Sequence, residues 1–140
     1  DQHSGLILVY VTFAKPFGTY LLTAYYRAVP AELVEAAQVD GASHAQILWR
    51  IMVPIGRPAF LTLGIFNFLW MWNELLFALL ILQKDTARTL MVGVANLRGQ
   101  YTTSIPLMSA GLFLAALPVL IVFFVFQSQI QKGMTMGAVK

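Results

Sequence analysis

The chain contains three long apolar runs, and the two stretches between them are more polar. The runs cover Leu6–Tyr26, Ala59–Leu82 and Leu107–Phe126. Each run has about the 20 residues that an α-helix needs to cross the hydrocarbon core of a bilayer. The pattern therefore predicts an all-α membrane protein with three transmembrane helices.

The polar stretch between the first two runs carries the start and stop signals of a short helix. Pro30 suits the first turn of a helix, and Glu32 and Glu35 then lie near its positive N-terminal end. Gly41 is a natural C-terminal stop, because glycine adopts the left-handed conformation that ends many helices. These signals predict one short helix between Pro30 and Gly41.

A second short helix is predicted to follow this turn. Ser43 can cap its start, and Gln46 stands three residues later, in capping-box spacing. The helix is expected to close before Pro54, because the residue before a proline disfavours helical backbone angles. Its apolar face is expected to contain Ile47, Leu48, Ile51 and Met52.

Composition agrees with a membrane protein and narrows the function classes. Of the 140 residues, 59% are hydrophobic and 11% are charged, whereas soluble domains have about 25% charged residues. The net charge of +3 is spread along the chain, without the basic stripe that binds nucleic acid. The chain has no Cys, which excludes thiolate metal sites, and His3 and His44 lack the spacing of metal ligands.

Basic residues set the expected orientation. Five of them lie in the segment 27–58 and the tail 127–140, and three lie in the loop 83–106. The positive-inside rule therefore predicts a cytoplasmic segment and tail and a periplasmic loop. The chain begins with Asp1, and no basic region of a signal peptide precedes the first run, so we expect it to be part of a longer protein.

The segment 27–58, called the docking loop below, resembles the EAA signature of ABC importer permeases. In that signature EAA is followed by three residues, Gly, nine residues, Ile, one residue, Leu and Pro. The chain departs only at Val53, where one apolar residue replaces another. The residues expected to form an ATPase-docking site are Glu35, Ala36, Ala37, Asp40, Gly41, Ile51 and Pro54.

Other stretches are similar to carbohydrate-importer permeases. The run FLWMWNELL at 68–76 resembles a FLW-x-WN-[DE] stretch, and residues 88–90 and 92–93 resemble the loop that follows it. The ending GMTMGAVK at 133–140 resembles the GLTxGAVK tail of the maltose-transporter-like subfamily. By this resemblance the chain is the C-terminal half of a six-span ABC permease. Its fold would be three transmembrane helices plus two short cytoplasmic coupling helices.

The resemblance implies a transport subunit with several partners and no catalytic site of its own. Two permease subunits form the path through the inner (cytoplasmic) membrane and its lipid. Two ABC ATPase subunits, which bind ATP and magnesium, dock on the EAA loops and drive transport. A periplasmic or lipid-anchored substrate-binding protein delivers a sugar or oligosaccharide. No cofactor and no metal are expected in this chain.

The local chemistry of the docking loop fits such a role. Glu35 at a helix start is a carboxylate that can accept a charge-assisted pair from a basic residue of the ATPase. Ala36 and Ala37 are small enough for the helix to approach a groove closely. The alternative is an ordinary interfacial loop with a solvated acid, and the full EAA spacing favours docking.

Polar residues inside the runs are the candidates for a translocation path. An ionised side chain at the bilayer centre costs at least about 2.5–3.5 kcal/mol, so Lys15 and Glu74 are hypothesised to pair or to face a water-filled path. The alternative for Glu74 is a structural hydrogen-bond network with Asn73. Asn67, Trp70 and Asn73 offer amides and an aromatic ring to a sugar, or act in helix packing. In maltose-type systems the sugar contacts lie mainly on the partner permease.

The remaining expectations concern helix shape and the outer loop. Pro16 and Pro118 each remove a backbone hydrogen bond and are candidates for kinks. Gly111, with Ala115 four residues later, would allow close helix contact. By the resemblance, the loop 83–106 reaches toward the binding protein. Its expected contact residues are Arg98, Gln100 and Tyr101.

Two other interpretations stay open from the sequence. The chain could belong to a permease of the same superfamily with another cargo, such as a polyol phosphate or a polyamine. It could also be a small, non-transporting membrane scaffold. The EAA spacing argues against the scaffold, and the FLWMWNELL run and the tail argue for a sugar as cargo.

Overall fold

The described part of the chain is built from helices. A computed structural model describes residues 3–97 and 104–136, and every regular element within these ranges is a helix. Three stretches are long and apolar enough to cross a membrane, namely His3–Arg27, His44–Asn73 and Ile105–Gln131. This confirms the predicted all-α fold class. The helices are α1 His3–Arg27, α2 Glu32–Val39, α3 His44–Ile47, α4 Val53–Asn73, α5 Leu76–Ile81, α6 Leu90–Asn96 and α7 Ile105–Met136.

The second short helix does not close before Pro54, as the sequence had predicted. A π-helical turn, Leu48–Met52, joins α3 directly to α4, so that His44–Asn73 is continuous. In this turn the Val53 N–H donates to the carbonyl of Leu48, five residues back. The wider turn accommodates Pro54, which has no N–H and whose ring clashes with the carbonyl four residues back in a regular α-helix.

The second apolar run is also divided differently from the predicted span at 59–82. The helix ends at Asn73, and Glu74 has extended backbone angles (φ −70°, ψ 127°). The Glu74 carboxylate then accepts hydrogen bonds from the N–H groups of Phe77 and Ala78, at 2.7 and 3.1 Å. A carboxylate that satisfies the first N–H groups of a helix stabilises a new helix start. One apolar run therefore forms two helices, α4 and α5.

α4 is the central helix, because it packs against both α1 and α7. On the α1 side, Gly18 is buried, and a Cβ placed on it would lie 3.4 Å from Leu63 Cδ2 of α4. On the α7 side, the Trp72 indole Nε1–H donates to the carbonyl of Ala115 at 2.9 Å. Trp72 is therefore a packing residue between α4 and α7.

The largest apolar core of the described residues lies where the chain folds back beside the start of α1. Leu6 of α1, Ala78 of α5, Leu82 and Val92 of α6 are buried together. The turn of 3₁₀-helix at Asp85–Ala87 connects α5 to α6 within this region. The loop after the second span is thus a packed layer on α1 and not a simple connector.

The small residues of α7 permit the close contact that the sequence predicted. Ala115 is buried, and a Cβ placed on Gly111 would lie 3.2 Å from Val94 Cγ2 and 3.3 Å from Leu97 Cδ1. α6 therefore lies directly against the backbone of α7 at Gly111.

The prolines do not mark the place where α7 leaves helical geometry. Its backbone departs from helical angles at Phe126 (φ −112°, ψ 16°), eight residues beyond Pro118. α1 continues as one helix through Pro16. The departure at Phe126 coincides with the end of the third apolar run, and the polar residues that follow continue as helix to Met136.

We expect Gly111→Val to weaken the contact between α6 and α7. The added side chain would overlap Val94 and Leu97, and overpacking of this kind typically costs about 1–3 kcal/mol. The melting temperature of the full-length protein in detergent should fall. Gly93→Val on α6 is the matched control, because a Cβ there meets no atom within 4 Å. Equal melting temperatures for the two variants would contradict this packing role.

Candidate functional site

The turn of the docking loop is a Schellman motif centred on Gly41. The Ala42 N–H donates to the carbonyl of Ala37 at 2.9 Å, and the Gly41 N–H donates to the carbonyl of Gln38 at 3.0 Å. Gly41 has φ +78°, a left-handed conformation that side chains disfavour. The predicted role of Gly41 as the stop of α2 is confirmed.

The start of α3 is the capping box that the sequence predicted. The Ser43 N–H donates to Gln46 Oε1 at 2.8 Å, and the Gln46 N–H donates to Ser43 Oγ at 3.4 Å. These reciprocal bonds satisfy two N–H groups that a helix start otherwise leaves without partners. The Schellman motif and the capping box together fix the angle between α2 and α3.

The structure separates the residues of the EAA resemblance into exposed and buried ones. Glu35, Ala36 and Asp40 are exposed on α2 and its C-terminal cap. Ala37 is buried, contrary to the expectation that it faces a partner groove. Its carbonyl also accepts the Schellman hydrogen bond from Ala42 N–H. Ala37 therefore holds the loop together, and Ala36 is the small residue on its surface.

The residues in the second half of the loop also differ in their exposure. Ile51 is half-buried and Pro54 is exposed. Ile47 is buried and anchors α3, whereas Leu48, assigned by the sequence to the same apolar face, is exposed. Leu48 follows Ile47 by one residue, which is about 100° around a helix with 3.6 residues per turn, so burial of Ile47 leaves Leu48 at the surface.

Large apolar side chains are exposed beside the acidic residues of the loop. Val39 is 87% exposed, Trp49 69% and Leu48 50%. A loop that presents a tryptophan and two aliphatic side chains to the outside has the composition of a protein-binding surface. Sequence reasoning missed Trp49, although a tryptophan within a polar stretch is a signal that could have found it.

A narrow cleft lies between the two short helices. Its volume is about 280 Å³, and Asp40 and Arg50 contribute opposite charges to its lining. The other lining residues are Gly41, Ala42, Gln46 and Ile51. The docking loop therefore offers a partner an exposed acidic helix, exposed apolar side chains and a polar cleft.

A second candidate site is an aromatic groove between α1 and α4. It has a volume of about 330 Å³. The Phe13 and Trp70 rings are 5.9 Å apart, as are the Phe17 and Phe66 rings. The groove is lined by Phe13, Phe17, Phe66, Asn67 and Trp70. The structure thus brings Asn67 and Trp70, both predicted from the sequence, into one site.

The other predicted path residues lie elsewhere. The Asn73 amide donates to the carbonyl of Leu69 in its own helix at 2.7 Å. Lys15 is exposed on α1. Neither residue lines the aromatic groove.

The hypothesised pair of Lys15 and Glu74 is not formed. One Glu74 oxygen accepts from the Tyr10 hydroxyl at 2.9 Å, and the carboxylate also caps α5. Glu74 therefore belongs to a structural hydrogen-bond network, as the alternative proposed, but its partner is Tyr10 and not Asn73. The Tyr10 ring also meets Trp70 edge-on at 5.7 Å, which connects this network to the groove.

Three residues of the loop 83–106 were expected to contact a binding protein. Arg98, Gln100 and Tyr101 lie outside the described residues. The described part of the same loop contains the 3₁₀ turn Asp85–Ala87 and α6, and α6 packs against α7.

Comparison with known proteins shows the family to which this chain belongs. Residues 4–136 match the family described as the inner membrane component of binding-protein-dependent transport systems. The match covers more than nine-tenths of the chain, so this chain belongs to that family of membrane permeases.

Named relatives come from several bacteria. The chain is 37% identical to the trehalose transport system permease protein SugB of Mycobacterium tuberculosis, over 100% of the chain and 52% of the relative. It is 39% identical to the osmoprotective compounds uptake permease protein GgtD of Synechocystis, over 97% and 46%. It is 35% identical to the alpha-glucoside transport system permease protein AglG of Rhizobium meliloti, over 99% and 37%. The chain spans about half the length of the curated relatives it matches.

Two substitutions at Gly41 should show whether its positive φ, and not the lack of space for a side chain, is what the turn requires. A Cβ at Gly41 meets no atom within 4 Å, so only its positive φ limits substitution. Asn tolerates this conformation, whereas a β-branched Val does not. Hydrogen exchange of amides 36–46 in the full-length protein should be near wild type in Gly41→Asn and much faster in Gly41→Val. Equal exchange rates in the two variants would contradict the role of the Schellman turn.

Proposed function

We propose that this chain acts within a permease subunit of a binding-protein-dependent ABC importer. It would carry a sugar or oligosaccharide across the inner membrane, driven by ATP hydrolysis on a partner ATPase that docks on segment 27–58. The observation that carries this proposal is the rigid docking loop, in which two capping motifs present Glu35, Ala36 and Trp49 at the surface.

The chemistry of the loop supports an ATPase as its partner. Glu35 lies in the first turn of α2, where its exposed carboxylate is free to receive a basic residue. Val39, Leu48 and Trp49 of the same loop are also exposed, and their burial against a partner would add apolar contact area. The expected partner surface is therefore a groove on the ATPase that has a basic residue and an apolar lining.

The aromatic groove supports a sugar as the cargo. The faces of sugar rings carry C–H groups that stack on aromatic side chains, and an amide can both donate to and accept from hydroxyl groups. Trp70 and Asn67 provide these two functions side by side in the groove. The names of the trehalose and alpha-glucoside relatives point in the same direction.

The docking proposal is tested by reversing the charge of each acid in the first turn of α2. We expect Glu35→Lys to lose the ATPase subunit when the full-length permease is co-expressed with its partners and affinity-purified from membranes. Glu32→Lys is the matched control, because Glu32 is also an exposed acid in the same helical turn. Both variants change the helix-terminus charge equally, so retention of the ATPase by both would overturn the docking role of Glu35.

The cargo proposal is tested by removing the groove amide. In cells that express the full transporter, uptake of ¹⁴C-labelled trehalose or maltose should fall about tenfold in Asn67→Leu, the effect of one lost hydrogen bond worth about 1.4 kcal/mol. Asn73→Leu, in which the lost amide had bonded its own helix, should reduce uptake much less. A sugar cargo would be contradicted if the wild-type transporter took up glycerol 3-phosphate or spermidine but no labelled di- or oligosaccharide.

A further inference from the structure

Two consecutive tyrosines fasten the end of α1 to the junction between the docking loop and α4. The Tyr25 hydroxyl donates to the carbonyl of Ile55 at 2.9 Å. The Tyr26 hydroxyl donates to the carbonyl of Met52 at 2.8 Å. The two rings meet edge to face, with centroids 5.8 Å apart and an interplanar angle of 84°. Both hydrogen bonds join side chains of one helix to the backbone of another.

Gly56 makes this arrangement possible. It is buried on α4, and a Cβ placed there would overlap the Tyr26 hydroxyl and lie 2.9 Å from Tyr26 Cζ. The phenol ring of Tyr26 therefore lies directly on the α4 backbone, in a space that only glycine leaves open. Even alanine at this position would displace the hydroxyl from the Met52 carbonyl.

The acceptor carbonyls lie where the docking loop becomes the second span. Met52 is the last residue of the π-helical turn, which continues from α3 without interruption. Tyr26, Met52 and Glu35 also line one cleft of about 460 Å³ beneath α2. The hydrogen bonds thus connect α1 to the element that carries the exposed docking residues.

Hydrogen bonds of this kind restrict movement more than apolar contacts do. Apolar side chains can slide past one another at little cost, whereas a hydroxyl–carbonyl bond weakens steeply when its distance or angle changes. With both hydroxyls bonded, α1 cannot rotate or translate relative to α4 without breaking them. The groove lined by Phe13 and Phe17 of α1 and Trp70 of α4 then keeps its shape when the loop moves.

We propose that Tyr25, Tyr26 and Gly56 form a clamp that makes α1 and α4 move as one unit when the docking loop is displaced. The three are positioning residues for energy coupling, and this inference rests on the proposed function. The clamp transmits displacement of the loop to the α1 side of the groove. Without it, the ATPase still docks and hydrolyses ATP, but α1 no longer follows the loop.

The test measures coupling and not transport alone. The double variant Tyr25→Phe/Tyr26→Phe keeps both rings and removes both hydroxyls, and Gly56→Ala displaces the Tyr26 hydroxyl. In the purified, reconstituted complex, we expect ATPase stoichiometry and hydrolysis to stay near wild type. The ratio of labelled sugar transported to ATP hydrolysed should fall about tenfold in Gly56→Ala, which loses one hydrogen bond, and further in the double variant, which loses two.

Two matched controls address packing. Gly64→Ala adds a methyl group to the same helix at a position where a Cβ meets no atom within 4 Å. Tyr20→Phe removes an exposed hydroxyl from α1. Both should leave the transport-to-hydrolysis ratio unchanged. An unchanged ratio in Gly56→Ala and in the double tyrosine variant would overturn the clamp, as would loss of the ATPase from either variant.

The distance between α1 and α4 can also be measured directly, without a transport assay. The chain has no Cys, so spin labels can be placed on cysteines substituted for the exposed residues Thr19 of α1 and Leu61 of α4. In the wild-type complex the distance distribution should be narrow with and without ATP, and it should broaden in the clamp variants. A distribution that stays narrow in the variants overturns the clamp. Failure of the wild-type complex to bind an ATPase would instead overturn the proposed function.

Discussion

The need to pair backbone N–H and carbonyl groups governs where the helices of this protein begin and end. In an apolar environment an unpaired N–H or carbonyl costs several kcal/mol, and this chain has few polar side chains with which to pair them. Several of those it has are placed where helices begin or end. Ser43 and Gln46 cap α3, Glu74 caps α5, and the turn at Gly41 pairs the last carbonyls of α2.

Close helix contacts in the same structure depend on small residues. Gly56 admits the ring of Tyr26 to the α4 backbone, and Gly111 admits α6 to the backbone of α7. Apart from these contacts the spans are sparsely covered. Only 17%, 22% and 6% of the three apolar windows, in chain order, are buried within the described residues. Their remaining surfaces are available to lipid or to further protein.

The continuous helix from His44 to Asn73 brings the two candidate sites into one element. The exposed residues Leu48 and Trp49 lie near its start, and Asn67 and Trp70 lie about 28–32 Å farther along at 1.5 Å per residue. A break at Pro54 would have separated them into two bodies. The π-turn therefore has a mechanical consequence, because it allows the loop and the groove to share one rigid helix.

Features that depend on neighbouring residues could be predicted from the amino-acid sequence alone. The number of long apolar helices, the stop at Gly41 and the cap at Ser43 follow from local propensity and were predicted correctly, whereas the bounds of the second span were not. Tertiary structure decided what local signals leave open: the inward direction of Ala37, and the partners of Glu74 and Tyr26. Those partners lie 26 to 64 residues away in the chain, and only folding brings such groups within hydrogen-bond distance.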